Sequence, residues 1–208
     1  MSTLDQVVDN AFEPLRGRPG IDRVAAVVSN LADYGYVWVA LAAIKARRPG
    51  PNRRRAIVAL GTAGVSSLVV SRVVKTAVSR QRPEDHLDAA VRTPSTSSFP
   101  SGHTLAAFCT AFVLGESDAE TAANVCFAGA VAASRVHLRA HHPTDVVGGA
   151  VIGSVLGLGL RPVVDLVAPG SRGRRPLPFG LGRRRGAGRR GGGRRQGITA
   201  GQDRLHEL

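Results

Sequence analysis

Three polar clusters hold the chemistry this sequence offers. The first is Lys75, six residues, then Arg82-Pro83. The second is Pro100-Ser101-Gly102-His103. The third is Ser134-Arg135, five residues, His141, three residues, Asp145. Lys75, Arg82 and Arg135 supply three cations, and guanidinium forks match phosphate oxygens two at a time. Ser101, Gly102 and His103 stand where a helix opens, so free N–H groups and the helix dipole favour an anion there. Gly102 lets the backbone come close to it. His103 and His141 can provide a nucleophile and a proton donor. Asp145, four residues beyond His141, is one helical turn away. It can hold one ring nitrogen while the other points at phosphorus, which is the orienting logic of a catalytic triad.

The elements around these clusters are apolar. Residues 24–44 carry one charge, Asp33, and residues 56–74 carry one, Arg72. Segments 104–115 and 121–134 are shorter, split by the polar run 116–120, and a Gly/Val-rich segment, 146–168, follows. A span needs about 20 apolar residues, which the first two segments roughly meet and the middle pair reaches only with its helical flanks. The segments are apolar all round rather than striped, and a chain of 208 residues cannot bury five such helices completely. Gly61, Gly64, Ser66, Ser67, Gly148, Gly149, Gly153 and Gly157 suit close helix packing in lipid. The expected fold is therefore an all-α integral-membrane bundle of about five helices. In it Lys75 ends one helix, His103 begins the next, Arg135 ends the third and Asp145 begins the last. Antiparallel packing brings all three clusters to one face. Asp33, costly in lipid, points either to a polar contact or to a segment that starts near the interface.

Composition narrows the classes further. Of the net charge of +13, from 28 Lys+Arg against 15 Asp+Glu, +9 lies in residues 172–208, which hold 11 arginines against Asp203 and Glu207. The apolar body excludes a wholly disordered basic protein. Two cysteines, Cys109 and Cys126, exclude a disulfide scaffold or a Cys-based zinc module and read as small buried hydrophobes. Residues 1–23 carry Asp5, Asp9, Glu13 and Asp22 with no long apolar run, so they do not read as a secretory signal. Val7, Val8, Ala11 and Phe12 can instead line one face of an interfacial helix.

The clusters K-x6-RP, PSGH and SR-x5-H-x3-D resemble the signature of the type 2 phosphatidic acid phosphatase (PAP2) superfamily, which includes lipid phosphate phosphatases, undecaprenyl pyrophosphate phosphatases, acid phosphatases and vanadium haloperoxidases. The signature covers residues 75–145 and its helices extend it to about 24–168. The resemblance implies a PAP2/haloperoxidase-like core and a phosphatase of the bacterial membrane branch. It assigns His141 as the nucleophile that becomes a phosphohistidine and His103 as the acid for the leaving oxygen and then the base for water. Asp145 would orient His141. Lys75, Arg82, Ser101, Gly102 and Arg135 would hold the phosphate oxygens. No metal and no cofactor are expected, because cations and amides do that work. The substrate implied is a lipid phosphate or polyprenyl (pyro)phosphate: undecaprenyl pyrophosphate, a phosphatidic-acid-like lipid, or a decaprenylphosphoryl-phosphoribose-type lipid. A vanadate-dependent peroxidase shares the pocket, but the membrane setting argues against it. The non-enzymatic alternative is a basic membrane scaffold in which the motifs are relics. His137 and His142 read as solvated or interfacial, and Glu84-Asp85-His86 with Asp88 as an ordinary polar loop.

Three regions follow: an interfacial segment 1–23, the membrane-embedded phosphatase domain 24–168, and a disordered Arg/Gly-rich tail 169–208. The 45–55 loop holds six basic residues and no acid, and with the tail it falls on the face opposite the motifs. Positive charge favours the cytoplasm, which places the active site outside and the C-terminus inside. Arg16, Arg18 and Arg23 oppose an outer N-terminus. Phe179 is the tail's only aromatic, a poor platform for nucleic acid. A topogenic tail touching anionic lipid headgroups is the better reading.

Overall fold

The computed structural model describes residues 2–47, 50–83 and 97–169. Among them every regular element is helical: α1 (Thr3–Phe12), α2 (Pro19–Ala32), α3 (Tyr36–Ala46), α4 (Pro51–Ala77), α5 (Gly102–Leu114), α6 (Asp118–His137) and α7 (Pro143–Val167), with short 3-10 turns at Glu13–Leu15 and Asp33–Gly35. Pro19, Pro51 and Pro143 open their helices, where a missing N–H costs nothing. Ser2 and Asp5 form a capping box on α1, and the Ser117 hydroxyl caps α6 by accepting from the Glu120 amide at 3.1 Å. The 84–96 loop and the tail beyond Pro169 lie outside the described residues.

Helices α4 and α7, of 27 and 25 residues, are long and apolar enough to cross a membrane. Their outward faces expose Val65, Leu68, Val73, Val151, Val155 and Leu166, the surface a lipid-facing helix presents. The uninterrupted span expected over 24–44 is corrected to two helices. α2 and α3 meet the same criterion together but are bent by 61° at Asp33–Gly35. The cause is local. Asp33 takes an extended conformation at the end of α2 and Gly35 adopts φ +72°, a left-handed geometry that glycine accepts without a Cβ clash.

Short α5 is the core helix. Eight of its 13 residues are buried, including Leu105, Ala107, Ala111, Val113 and Leu114. Ala107, Ala111, Val113 and Leu114 pack with Ala59 and Ala63 of α4, Ala128 and Val131 of α6, and Val164 of α7. A helix enclosed by its neighbours need not match the bilayer by itself. Against α7 the approach is backbone to backbone. A Cβ at Gly149 or Gly157 would fall 2.7 Å from the carbonyl oxygen of Ser101 or Cys109, and one at Gly153 would meet the Leu105 carbonyl closer still. Three glycines spaced by four thus face three α5 carbonyls spaced by four. Gly61 and Gly64 of α4, expected to pack in the same way, face open space: a Cβ at either would meet nothing within 4 Å.

The two ends of the bundle are chemically distinct. At one, Lys45 pairs with Glu116 and Glu120 at 3.4 and 2.9 Å, and Arg55 with Asp165 at 2.8 Å. At the other, the ends of α4 and α6 meet the starts of α5 and α7, and the N-terminal segment joins them. Arg16 donates from Nε to the His137 carbonyl at 3.1 Å and from Nη2 to that of Val136 at 3.2 Å, capping α6. Arg139 pairs with Glu13 at 2.8 Å. The N-terminal arginine that seemed out of place by charge counting therefore has structural work at this end.

Candidate active site

Lys75 lies in the last turn of α4, Arg82 in the segment after it, and Ser101, Gly102 and His103 at the start of α5. Arg135 is in the last turn of α6, His141 in the α6–α7 loop, and Asp145 in the first turn of α7. These positions converge. The Ser101 amide donates to the Asp145 carbonyl at 3.0 Å, and Arg82 Nη1 lies 3.3 Å from His141 Nε2 and donates to the Ala140 carbonyl at 2.8 Å.

His141 is buried. Its Nδ1 donates to the Ser98 carbonyl at 2.9 Å. With that hydrogen on Nδ1, the lone pair sits on Nε2, beside Arg82. Burial first, then the positive fields of Arg82, Arg135, Lys75 and His103, push the imidazole well below its ordinary value, so it is neutral at neutral pH. A neutral ring with its lone pair among cations has the chemistry to attack an anion held beside it.

Asp145 is wholly buried, but the direct grip on His141 expected from the four-residue spacing is only a 3.9 Å approach. Its carboxylate turns back to accept from the His142 amide at 2.9 Å, as a residue in the first helical turn readily does, and from the Ser98 hydroxyl at 2.5 Å. Ser98 therefore stands between them, its hydroxyl on Asp145 and its carbonyl on His141. The other carboxylate oxygen accepts from Arg80 Nη1 at 2.7 Å, and Arg80 Nη2 donates to Asp5 at 2.8 Å. Asp5, wholly buried on α1, also accepts from the Thr144 amide and hydroxyl at 2.9 and 2.8 Å. Burial opposes its ionisation, but the Thr144 and Ser2 hydrogen bonds outweigh it and hold the carboxyl well below the usual range. Arg80, Ser98 and Asp5 have no place in the motif reading.

The cations differ in how they are engaged. Arg135 is wholly buried, with Nη1 donating to the Ser29 hydroxyl at 2.5 Å. Its Nε and Nη2, and the Nε of Arg82, find no acceptor among the described residues. Buried donors of this kind are costly unless an acceptor meets them, and phosphate oxygens only accept. Lys75 donates to the Ser97 carbonyl at 3.0 Å. The Ser101 amide is committed to Asp145, and the Ser101 hydroxyl accepts from Thr104 at 3.0 Å. A Cβ at Gly102 would come within 3.3 Å of Ser71 Oγ, a tight contact that a small shift of that hydroxyl would have to relieve.

His103 places Nε2 2.6 Å from Asp33 Oδ1, at the α2–α3 bend. His137 and His142, expected to be solvated or interfacial, are both buried, His137 against Asp22 at 2.7 Å. Among the described residues no three His, Cys, Asp or Glu side chains are grouped to hold a metal ion. Cys109 is buried as expected, whereas Cys126 is exposed.

The family model of the PAP2 superfamily matches residues 55–166. The chain is 37% identical over 147 residues to the decaprenylphosphoryl-5-phosphoribose phosphatase of Mycolicibacterium smegmatis, covering 70% of this chain and 80% of that protein. It is 32% identical over 155 residues to the protein so named from Mycobacterium tuberculosis, covering 74% and 84%. Among solved structures it resembles the transmembrane PAP2 type phosphatidylglycerolphosphate phosphatase from Bacillus subtilis, with a TM-score of 0.62 at 23% identity over 80% of this chain and 89% of that one. It also resembles Aquifex aeolicus LpxE, with a TM-score of 0.59 at 26% identity over 76% and 94%.

Proposed function

The chain belongs to the PAP2 superfamily, and from that premise we propose that it is a membrane phosphatase that hydrolyses a lipid phosphomonoester of the decaprenylphosphoryl-5-phosphoribose type through a phosphohistidine. The observation that carries the reading is the set of buried N–H groups on Arg135 and Arg82, without acceptors among the described residues, around the His141 lone pair. His141 Nε2 attacks phosphorus as the bond to the lipid oxygen breaks, and His103 gives that oxygen a proton. Water then loses a proton to His103 and attacks phosphorus, the P–N bond breaks, and phosphate leaves. Arg82, Arg135 and Lys75, with the hydroxyl of Ser101 and the amide of Gly102, hold the equatorial oxygens while charge builds. Asp145 acts on His141 through Ser98.

The substrate class follows the relatives' name and fits the site. A sugar 5-phosphate leaves a primary alkoxide, which needs the proton that a second histidine provides. Phosphate release by the full-length protein in detergent tests it, with decaprenylphosphoryl-5-phosphoribose, undecaprenyl pyrophosphate, phosphatidic acid and phosphatidylglycerol phosphate compared side by side. The first should have the highest kcat/KM; release from none of the four would overturn the reading.

The site faces the extracytoplasmic side and the tail the cytoplasm. This orientation is supported by Lys45 at the end of α3 and Arg53, Arg54 and Arg55 at the start of α4, at the bundle end away from His141, and by Asp5 and Glu13, which pair with Arg80 and Arg139 at the catalytic end. Single cysteines at Ala90 and Gly192, with Cys109 and Cys126 changed to serine, check it. An impermeant thiol reagent on intact cells should label the first and spare the second.

A further inference from the structure

A general acid needs a fixed tautomer, and none of the three motifs supplies a partner for His103. We propose that Asp33 is its positioning residue. The carboxylate accepts the Nε2 hydrogen of His103, so that Nδ1 is the nitrogen that protonates the leaving oxygen. This rests on the phosphatase reading above.

The contact is 2.6 Å long and joins residues 70 apart in sequence. It answers a cost. A carboxylate inside an apolar stretch is expensive unless it is paired and used. The chain is also broken at that point, with α2 ending, Asp33 extended and Gly35 left-handed, so the side chain meets the first turn of α5. Both side chains remain about a quarter exposed, 24% for His103 and 25% for Asp33, unlike the sealed His141. A group that exchanges protons with a leaving oxygen and then with water needs such access.

The charges around the ring make the same demand. Burial first, then Arg135 from α6 and Lys75 from α4, disfavour a protonated His103 and lower its pKa, Asp33 works against them, and His141 faces the ring from the α6–α7 loop. A donor must begin the reaction protonated, and Asp33 is the counter-charge for that form. As the phosphorus–oxygen bond to the lipid breaks, its electron pair stays on the leaving oxygen, which takes the Nδ1 proton. In the second half a water proton goes to Nδ1, and the water oxygen forms the new bond to phosphorus. The pair of the breaking P–N bond returns to His141 Nε2.

The experiment compares the full-length wild type with Asp33→Asn and Asp33→Glu in detergent, on phosphatidic acid and on p-nitrophenyl phosphate, whose leaving phenolate needs little protonation. In Asp33→Asn, kcat/KM on phosphatidic acid should fall on the order of tenfold to a hundredfold, and that on p-nitrophenyl phosphate by less than about threefold. The basic limb of the phosphatidic acid profile should move to lower pH, because the imidazolium has lost its counter-charge. Asp33→Glu should recover part of both effects. Equal losses on the two substrates, or an unmoved basic limb, would overturn the assignment and leave Asp33 a purely structural group. A wild type that cleaves neither of these substrates nor decaprenylphosphoryl-5-phosphoribose would instead overturn the phosphatase reading itself.

Discussion

The two histidines of the site occupy opposite surroundings. His141 is sealed from solvent, fixed by a backbone carbonyl and ringed by positive charge. His103 is partly open and fixed by a carboxylate. Burial and neighbouring cations disfavour the charged form of both imidazoles, and His103 alone has a carboxylate pulling the other way. On the proposed reading, two residues of one type take the parts of nucleophile and acid through their environments, with no difference in their own chemistry.

Substitutions can break this division, and the largest effect belongs to the nucleophile. His141→Ala should lower phosphate release by ~10⁴-fold or more on every substrate, since no neighbour can form the P–N bond. His103→Ala should cost about 10³-fold on a lipid phosphate and much less in p-nitrophenol release, separating bond formation from proton donation. Asp145→Asn should cost roughly a hundredfold, because the Ser98 hydroxyl and Arg80 lose a charged acceptor and the His141 ring loses its anchor at second hand. Arg80→Gln should then cost about tenfold, with the same pH profile as wild type.

The smallest effect is the most diagnostic. The acid limb of kcat/KM in the wild type should lie well below pH 6.5, the ordinary histidine value, because His141 must lose its proton to attack and its folded-state pKa is depressed. Arg82→Gln removes one of the positive fields that depress it. The imidazolium becomes easier to form and the acid limb should move to higher pH, alongside a loss of turnover. An unmoved limb in Arg82→Gln would mean that burial and the remaining positive neighbours keep the ring neutral without Arg82.

The elements that carry the motifs were legible because each motif is a short local run at a helix end, and hydropathy marks those ends. The helix starts at Gly102 and Pro143 fall where the clusters predict them. What could not be read was anything made by folding. The Asp33–His103 pair and the Asp5–Arg80–Asp145 chain span 70, 75 and 65 residues. The partner of His141 is a main-chain carbonyl, which no residue type reveals. Spacing placed Asp145 within reach of His141, but the capping of α7 draws its carboxylate elsewhere. Gly61 and Gly64 looked like Gly153 and Gly157 in sequence, and only the latter meet another backbone. Arg16 argued against an outer N-terminus by charge alone, whereas in the fold it caps the last carbonyls of α6.

The contact of Gly149, Gly153 and Gly157 with the α5 carbonyls sets a limit on how such an enzyme can diversify. His103 is mounted on α5 and Asp145 on α7, and at three glycines these two rods meet backbone to backbone. Contacts this close oppose sliding or tilting of one rod alone, so the spacing of His103 and Asp145 is held as in a machinist's jig. A bulkier or slimmer headgroup cannot be fitted by adjusting the centre. It has to be met by the parts that touch the jig only through side chains, namely the α1 segment held by Asp5 and the α2–α3 bend held by Asp33. Variation in those two pieces is where a change of lipid would be written, while the machinery that cuts the ester stays the same.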